Sequence, residues 1–91
     1  MRELKVRIKT ETGLHARPAA LVVGTAAKFK STITVEKQGQ TASLQSLLGL
    51  LSLAVVQGDE ITIKAEGKDE DKAMAALAKY GQVYDLWEEL I

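Results

Sequence analysis

Residues 4–23, LKVRIKTETGLHARPAALVV, change from one periodicity to another, and this change decides the fold of the chain. At the start, Leu4, Val6 and Ile8 alternate with charged residues, which indicates a β-strand with one buried face. After a polar loop, the apolar residues from Ala16 to Phe29 are spaced as on one side of a helix. The stretch therefore predicts a strand followed by a helix that covers it.

The rest of the chain continues this alternation of strands and helices. The predicted elements are, in order, a strand over Thr32–Glu36, a hairpin turn at Gln38-Gly39, a short strand near Thr41–Ser43, a short helix over Leu47–Leu53, a strand over Glu60–Glu66, and a helix with Asp69 as its N-cap. A buried strand is the alternative for the short helix, because periodicity does not separate the two in a short apolar run. Spacings of three and four residues extend the last helix to Trp87, and they relate Ala73, Leu77, Tyr80, Tyr84 and Trp87. Gly81 could interrupt this helix.

This element order predicts an α/β fold, more narrowly an α+β fold of two layers. Strands with one polar face form a mainly antiparallel sheet, and the helices cover the other face of that sheet. A chain of 91 residues is enough for one domain with one core, so residues 1–91 are expected to form a single domain.

The composition excludes several classes of protein. Twelve basic and twelve acidic residues cancel, so nucleic acid is not predicted as a partner. The absence of cysteine excludes disulfides and thiolate metal sites, and neither a metal nor a cofactor is predicted. The N-terminus lacks the continuous apolar region of a signal peptide, and the longest apolar run, Leu47–Val56, is too short to span a bilayer. We therefore expect a cytoplasmic protein without membrane insertion.

A candidate site lies at the start of the first helix. Pro18, the only proline, suits the first helical turn, where its missing N–H costs nothing. His15, the only histidine, would then lie near the unpaired N–H groups of the helix, with Arg17 in reach. A neutral imidazole there could accept a phosphoryl group, whose charge the helix start and Arg17 would hold. The spacing alone also fits an exposed histidine without chemical function.

Two separated motifs resemble those of one protein family. The segment TGLHARPAA, residues 12–20, resembles the active-site segment of HPr, the histidine-containing phosphocarrier of the bacterial sugar phosphotransferase system. The segment SLQSLLGLLSLAVVQGDEITIKAEGKDEDKA, residues 43–73, resembles the second family signature, around a regulatory serine, and the last strand. The resemblance extends from the first strand to about Ala78.

The resemblance implies an open-faced β-sandwich, with a four-stranded antiparallel sheet of order 1-4-2-3 covered on one face by three helices. It also implies that His15 carries the phosphoryl group on Nδ1, that Arg17 helps to bind phosphate, and that Pro18 shapes the site. The donor would be enzyme I, phosphorylated from phosphoenolpyruvate, and the acceptors would be the A components of sugar-specific enzymes II. A protein of this kind is a monomeric phosphohistidine carrier and not an enzyme.

Ser46 precedes the short apolar helix and has two interpretations. It is a good N-cap residue. Gly49 and Ser52 resemble the residues found in the low-GC Gram-positive branch of the family. In that branch, this serine is phosphorylated by an ATP-dependent HPr kinase/phosphorylase. The resemblance then implies weaker binding to enzyme I and a surface for a transcriptional co-regulator. A regulatory relative that acts through Ser46 without sugar transport is the alternative function, although such a role needs neither His15 nor Arg17.

An exposed apolar patch for partners is predicted beside His15, because a short helix cannot bury all of its leucines. The predicted partner-binding residues are Ala16, Ala20, Leu47, Leu48, Gly49 and Leu51. Many family members carry lysines near this surface, where this chain has uncharged residues at Gly24, Ala27, Gln45 and Gly49. Charge is therefore expected to steer partners less here. Trp87 is expected to pack on the core, with an intermolecular contact as the alternative.

Overall fold

The computed structural model describes residues 1–14 and 16–90. Its strands and helices follow in the order β1 (Arg2–Ile8), α1 (Ala16–Ala26), β2 (Thr32–Lys37), β3 (Gln40–Ser43), α2 (Leu47–Ser52), β4 (Glu60–Glu66), α3 (Glu70–Val83) and β5 (Trp87–Glu89). The prediction of an α+β fold is confirmed, and the apolar segment Leu47–Ser52 is a helix rather than a buried strand. In the described part of the chain, no helix combines the length and the hydropathy that crossing a membrane requires.

The five strands form one sheet, with antiparallel neighbours in the order β3-β2-β4-β1-β5. In β1, Val6 and Ile8 are buried while the charged residues beside them are exposed, as the period of two predicts. Val6 is opposite Ile61 in the register, so the apolar faces of β1 and β4 coincide. The predicted hairpin between β2 and β3 is confirmed, with positive φ at both Gln38 and Gly39.

The helices cover the apolar face of the sheet and leave the other face open. One core lies between the two layers, and it includes Val6, Ile8, Ile33, Val35, Ile61, Ile63 and Ala65 from the strands and Ala19, Val22, Ala26, Leu50, Ala73, Met74 and Leu77 from the helices. The open face carries polar and charged residues, for example Lys64, whose Nζ is 3.6 Å from Glu36 Oε1. Within the helical layer, α1 packs against both α2 and α3.

The prediction of a four-stranded sheet of order 1-4-2-3 is wrong in the number of strands, because β5 pairs with the outer edge of β1. Helix α3 ends at Val83, and Asp85 has a φ of 54°, a left-handed conformation that reverses the chain. The returning chain is antiparallel to β1, and Leu90 N–H donates to Lys5 O at 2.8 Å. Trp87 is therefore a strand residue and not part of the last helix.

Trp87 packs on the core, as expected. Its side chain is 3% exposed and lies against Gly81 of α3. A Cβ atom at Gly81 would lie 2.1 Å from Trp87 Nε1, so the indole occupies the space that a side chain would need. Among the described residues, no acceptor bonds the buried Trp87 Nε1–H. The spacing of three and four residues from Tyr80 and Tyr84 to Trp87 therefore does not mark a helix that continues to Trp87. It reflects the packing of Trp87, in the strand that follows, against the end of α3.

Helix α1 ends at Ala26, three residues before the predicted end at Phe29. After Ala27 the hydrogen bonds change to the i→i−3 type: Lys28 N–H donates to Thr25 O at 3.3 Å, and Phe29 N–H donates to Ala26 O at 3.2 Å. Bonds of this type tighten the last turn of a helix and end it. The apolar period continues to Phe29 because this turn still packs against the core.

Asp69 is the N-cap residue of α3, but its side chain makes no capping hydrogen bond. The carboxylate instead accepts hydrogen bonds from the backbone N–H groups of Lys30, at 2.8 Å, and Ser31, at 2.9 Å, and from the Ser31 hydroxyl. These hydrogen bonds hold the pKa of Asp69 below its usual value, and the bond from the Ser31 hydroxyl has the largest effect. Asp69 therefore ties the start of α3 to the chain that follows α1.

Candidate functional site

His15, on which the predicted chemistry depends, lies outside the described residues. The two residues before it are held against the backbone that follows α2. Leu14 is buried, and its N–H donates to Val55 O at 3.0 Å. Gly13 has a φ of 65°, and a Cβ atom there would lie 2.4 Å from Val55 O, so the position requires glycine. The chain therefore approaches the candidate site along a tightly packed backbone.

The first turn of α1 contains the two other residues of the predicted site. Since α1 begins at Ala16, Arg17 and Pro18 are its second and third residues. The first four N–H groups of a helix have no partner within it, so Pro18 loses no hydrogen bond there. Arg17 is exposed, and no carboxylate of residues 1–14 and 16–90 forms an ion pair with it. Among those residues, no carboxylate competes with an anion for its guanidinium.

The charge near the site favours an anionic ligand. Residues 12–35 contain three basic residues, Arg17, Lys28 and Lys30, and no acidic residue. The start of a helix adds partial positive charge to this region. Within residues 1–14 and 16–90, no three histidine, cysteine or carboxylate side chains lie together as a metal site would need. The arrangement is therefore suited to a phosphate rather than to a cation.

An apolar groove beside Arg17 was not predicted from the sequence. It has a volume of about 170 Å³ between the start of α1 and the end of α3, and it is lined by Arg17, Pro18, Leu21, Tyr80, Tyr84 and Leu86. The two tyrosine rings are 4.6 Å apart between centroids. Burial raises the pKa of Tyr80, which keeps its phenol protonated. The four-residue spacing of the tyrosines indicates a shared helix face, but only the structure shows that Tyr84 is 58% exposed.

Ser46 is the N-cap of α2, as predicted. Its backbone is extended, and its Oγ accepts a hydrogen bond from Gly49 N–H at 3.1 Å. The residue is exposed, so the hydroxyl can be reached from solvent while it caps the helix. A Cβ atom at Gly49 would lie 3.2 Å from Ser43 O and 3.4 Å from Ser46 Oγ, so glycine leaves the room that this tight turn requires.

The predicted partner-binding residues differ in exposure. Leu48 is 82% exposed and Leu47 is 38% exposed, whereas Leu51 is half-buried and packs against the core. Ala20 is exposed on α1, and the side chain of Ala16, the first residue of that helix, is outside the described part. The exposed apolar surface of α2 therefore consists of Leu47 and Leu48, and a role in partner binding stays a prediction for all these residues.

Comparison with known proteins identifies relatives over most of the chain. A family model described as the PTS HPr component phosphorylation site matches residues 2–82. The chain is 46% identical over 82 residues to the HPr-like protein Crh of Bacillus subtilis (strain 168), which covers 90% of this chain and 96% of Crh. It is 44% identical over 78 residues to the phosphocarrier protein HPr of Mycoplasma pneumoniae, which covers 85% of this chain and 89% of that protein.

Solved structures agree with these sequence relationships. The structure of a histidine-containing phosphocarrier protein of Mycoplasma matches with a TM-score of 0.91 at 33% identity, over 96% of this chain and 99% of that chain. A crystal structure of Bacillus subtilis Crh, described as a dimer with a swapped domain, matches with a TM-score of 0.71 at 46% identity, over 91% and 95% of the two chains. Since sequence and structure agree over nearly the whole length, the chain belongs to the HPr family of phosphocarrier proteins of the phosphotransferase system.

Proposed function

We propose that the protein is a cytoplasmic phosphocarrier that accepts a phosphoryl group from enzyme I on His15 and passes it to the A components of sugar-specific enzymes II. The observation that carries this proposal is the match of residues 2–82 to a family model named for a phosphorylation site, in a chain whose only histidine is His15. The placement of Leu14 and Arg17, on either side of that histidine in the chain, supports the proposal.

The transfer is a displacement at phosphorus. The lone pair of a neutral imidazole nitrogen of His15, Nδ1 by resemblance to the family, forms a new N–P bond. The bond between phosphorus and enzyme I breaks at the same time, and its electron pair stays with enzyme I. Arg17 and the unpaired N–H groups at the start of α1 offset the added negative charge. Since a helix terminus contributes only about 0.3–1 kcal/mol at an exposed site, the phosphoryl group is held loosely enough to be passed on.

The direct test is phosphorylation of the protein by enzyme I and phosphoenolpyruvate. We expect one acid-labile phosphate per chain in the wild type and none in His15→Ala, because a phosphoramidate hydrolyses in acid and no other imidazole is present. Ser46→Ala, which keeps His15, is the matched control and should still be labelled. Acid-labile label that persists in His15→Ala would overturn the assignment.

Arg17 is proposed to bind the transferred phosphate. Arg17→Ala should slow transfer from enzyme I while its circular dichroism stays that of the wild type, because an exposed charge contributes little to stability. Lys28→Ala, which removes another exposed charge further along the same chain segment, is the control for a general loss of positive charge. Equal transfer rates for wild type and Arg17→Ala would remove Arg17 from the site.

Ser46 is proposed as a regulatory site that an HPr kinase/phosphorylase phosphorylates at the expense of ATP. Its exposed hydroxyl at the start of α2, next to the exposed Leu47 and Leu48, supports this role. Ser46→Asp should raise the apparent KM for transfer from enzyme I, since an unmatched charge in the interface costs affinity. Ser46→Asn is the matched control, because asparagine caps a helix as well as aspartate and adds no charge. Equal KM values for the two variants would contradict regulation through charge.

A second candidate function is regulatory, through a phosphorylated Ser46 and a transcriptional co-regulator, without sugar transport. The 46% identity to Crh, an HPr-like protein, favours this candidate. The presence of both His15 and Arg17 favours the carrier, because a role through Ser46 alone needs neither. Labelling by enzyme I followed by transfer to an enzyme II A component separates the two functions, since only a carrier completes both steps.

We expect the protein to act as a monomer. The edge of β1 is occupied by β5 of the same chain, so this edge is not open to a second copy. The swapped dimer described for Crh makes the oligomeric state a point to measure, by light scattering at several concentrations.

A further inference from the structure

A cluster of charges outside the candidate site holds the segment that follows α2. Lys37 is the last residue of β2, and its Nζ is 2.9 Å from Asp59 Oδ2. The same Nζ donates to Leu53 O at 3.0 Å and to Ala54 O at 2.7 Å. An ammonium group has three donors, and these three acceptors use all of them. The side chains of Lys37 and Asp59 are 15% and 19% exposed, so solvent screens this cluster less than it screens a surface pair.

Asp59 holds the other end of the same segment. Its Oδ2 accepts a hydrogen bond from Val56 N–H at 2.9 Å, and its own N–H donates to Val56 O at 3.1 Å. The hydrogen bond from Val56 and that from Lys37 hold the pKa of Asp59 below its usual value, so the carboxylate is ionised at neutral pH. Lys37 and Asp59 therefore bracket the segment Leu53–Val56 from both ends.

This segment has a backbone that needs such a restraint. Ala54 has a φ of 51°, a left-handed conformation that is unfavourable for residues other than glycine. The ammonium of Lys37 bonds two successive carbonyls, those of Leu53 and Ala54, and thereby favours this turn over an extended chain. Without the ammonium, two carbonyl oxygens and a carboxylate would face one another across a half-buried space.

The same segment supports the backbone that precedes His15. Val55 O accepts the hydrogen bond of Leu14 N–H, and Gly13 approaches Val55 O and Val56 Cα too closely to carry a side chain. A displacement of the segment must therefore displace Gly13 and Leu14 as well. The contact path runs from Lys37 and Asp59, through Leu53–Val56, to the residue that is covalently joined to His15.

We propose that Lys37 and Asp59 are positioning residues for phosphoryl transfer, because they lock the segment on which the residues before His15 rest. This inference rests on the proposed function of His15. Neither side chain touches the transferred group, and their effect is on the fraction of molecules in which Gly13 and Leu14 are docked. The same pair ties the C-terminal end of α2 to this loop, so it joins the helix that Ser46 caps to the phosphorylation site.

The test is Lys37→Met, which keeps an unbranched side chain of nearly the same length and removes its charge. Amide hydrogen exchange of Leu14 reports the docking of the loop, because this amide bonds Val55 O. The Ala73 amide, which donates to Asp69 O at 2.9 Å in α3, reports the stability of the rest of the fold. Lys64→Met is the matched control, because it removes an ion pair with Glu36 on the open face of the sheet.

We expect Lys37→Met to raise the exchange rate of Leu14 by about tenfold or more, since charge-assisted hydrogen bonds are lost, while Ala73 changes by less than about twofold. The kcat of transfer from enzyme I should fall while the KM changes little, and Lys64→Met should change neither measurement. If Lys37→Met does not fold, Asp59→Asn decides, because it removes only the ion pair and should raise Leu14 exchange to a smaller extent.

Two results would overturn the inference: unchanged Leu14 exchange in a folded Lys37→Met or Asp59→Asn protein, or the same loss of transfer in Lys64→Met. The exchange measurement needs no enzyme I, so it separates failure of this inference from failure of the proposed function. If the wild type accepts no phosphoryl group but Leu14 exchange still depends on Lys37, the carrier function is wrong and the docking of the loop stands.

Discussion

The contact between Gly81 and Trp87 makes a sharp prediction about the C-terminal part of the fold. Gly81 is a buried residue within α3, and a Cβ atom there would lie 2.1 Å from both Cε2 and Nε1 of Trp87. At an open helix position, Gly→Ala stabilises a protein by about 1 kcal/mol. Here the rigid, buried indole must move by more than an ångström, which is overpacking at the upper end of its usual cost, about 3 kcal/mol. Gly81→Ala should therefore destabilise the protein by about 2 kcal/mol.

The free energy of unfolding is measured by urea unfolding monitored by far-UV circular dichroism, a signal that does not depend on tryptophan fluorescence. Gly24→Ala is the matched control, because Gly24 lies within α1 and a Cβ atom there meets nothing within 4 Å. It should stabilise the protein by about 1 kcal/mol. Trp87→Val removes the obstacle, so adding Gly81→Ala to Trp87→Val should also stabilise, and the sign of the effect of Gly81→Ala should reverse.

Stabilisation of the wild-type background by Gly81→Ala, to the extent seen for Gly24→Ala, would refute the packing of Trp87 on α3. An equal destabilisation by Gly81→Ala in the wild-type and Trp87→Val backgrounds would also refute it, because the cost would then come from another contact. Either result would reopen the alternative in which Trp87 makes an intermolecular contact.

Three further predictions concern parts of the fold that support the candidate site. Deletion of the residues after Val83 should expose the edge of β1 and cause concentration-dependent self-association in light scattering; a truncated chain that stays monomeric would contradict the role of β5. Ser46→Ala should lower the free energy of unfolding by about 1 kcal/mol through loss of the N-cap, and Ser46→Asn should restore it. The folded-state pKa of Asp69 is lowered, so its stabilisation is complete above the usual value of 3.8 and is lost as the pH falls below it. Asp69→Asn should thus be less stable than wild type at neutral pH, with the difference shrinking in acid; a difference that does not depend on pH would disprove this linkage.

Much of the candidate site could be predicted from short segments of sequence. The N-cap at Ser46 and the place of Pro18 in the first turn of α1 depend on interactions within three or four residues, which a sequence shows directly. The groove beside Arg17 could not be predicted, because its walls come from residues 17–21 and residues 80–86, at opposite ends of the chain. The role proposed for Lys37 was missed for the same reason, since its acceptors belong to a later segment.

The sequence by itself determined the first four strands, the presence of α1 and α3, and which face of each of these elements is buried. The alternation in β1 and the positive-φ hairpin at Gln38-Gly39 are local, because a side chain's face follows from its position in a repeat of known period. The tertiary structure alone decided the number of strands and the partner of each edge. The spacing from Ala73 to Trp87 fits a helix that continues to Trp87, but the helix stops at Val83. Pairing β5 with β1 provides partners for backbone hydrogen-bonding groups, and packing against Gly81 buries the Trp87 indole. Together these favour the strand over another helical turn. The choice between helix and strand after Val83 depends on β1, at the opposite end of the sequence, so no local periodicity can predict it.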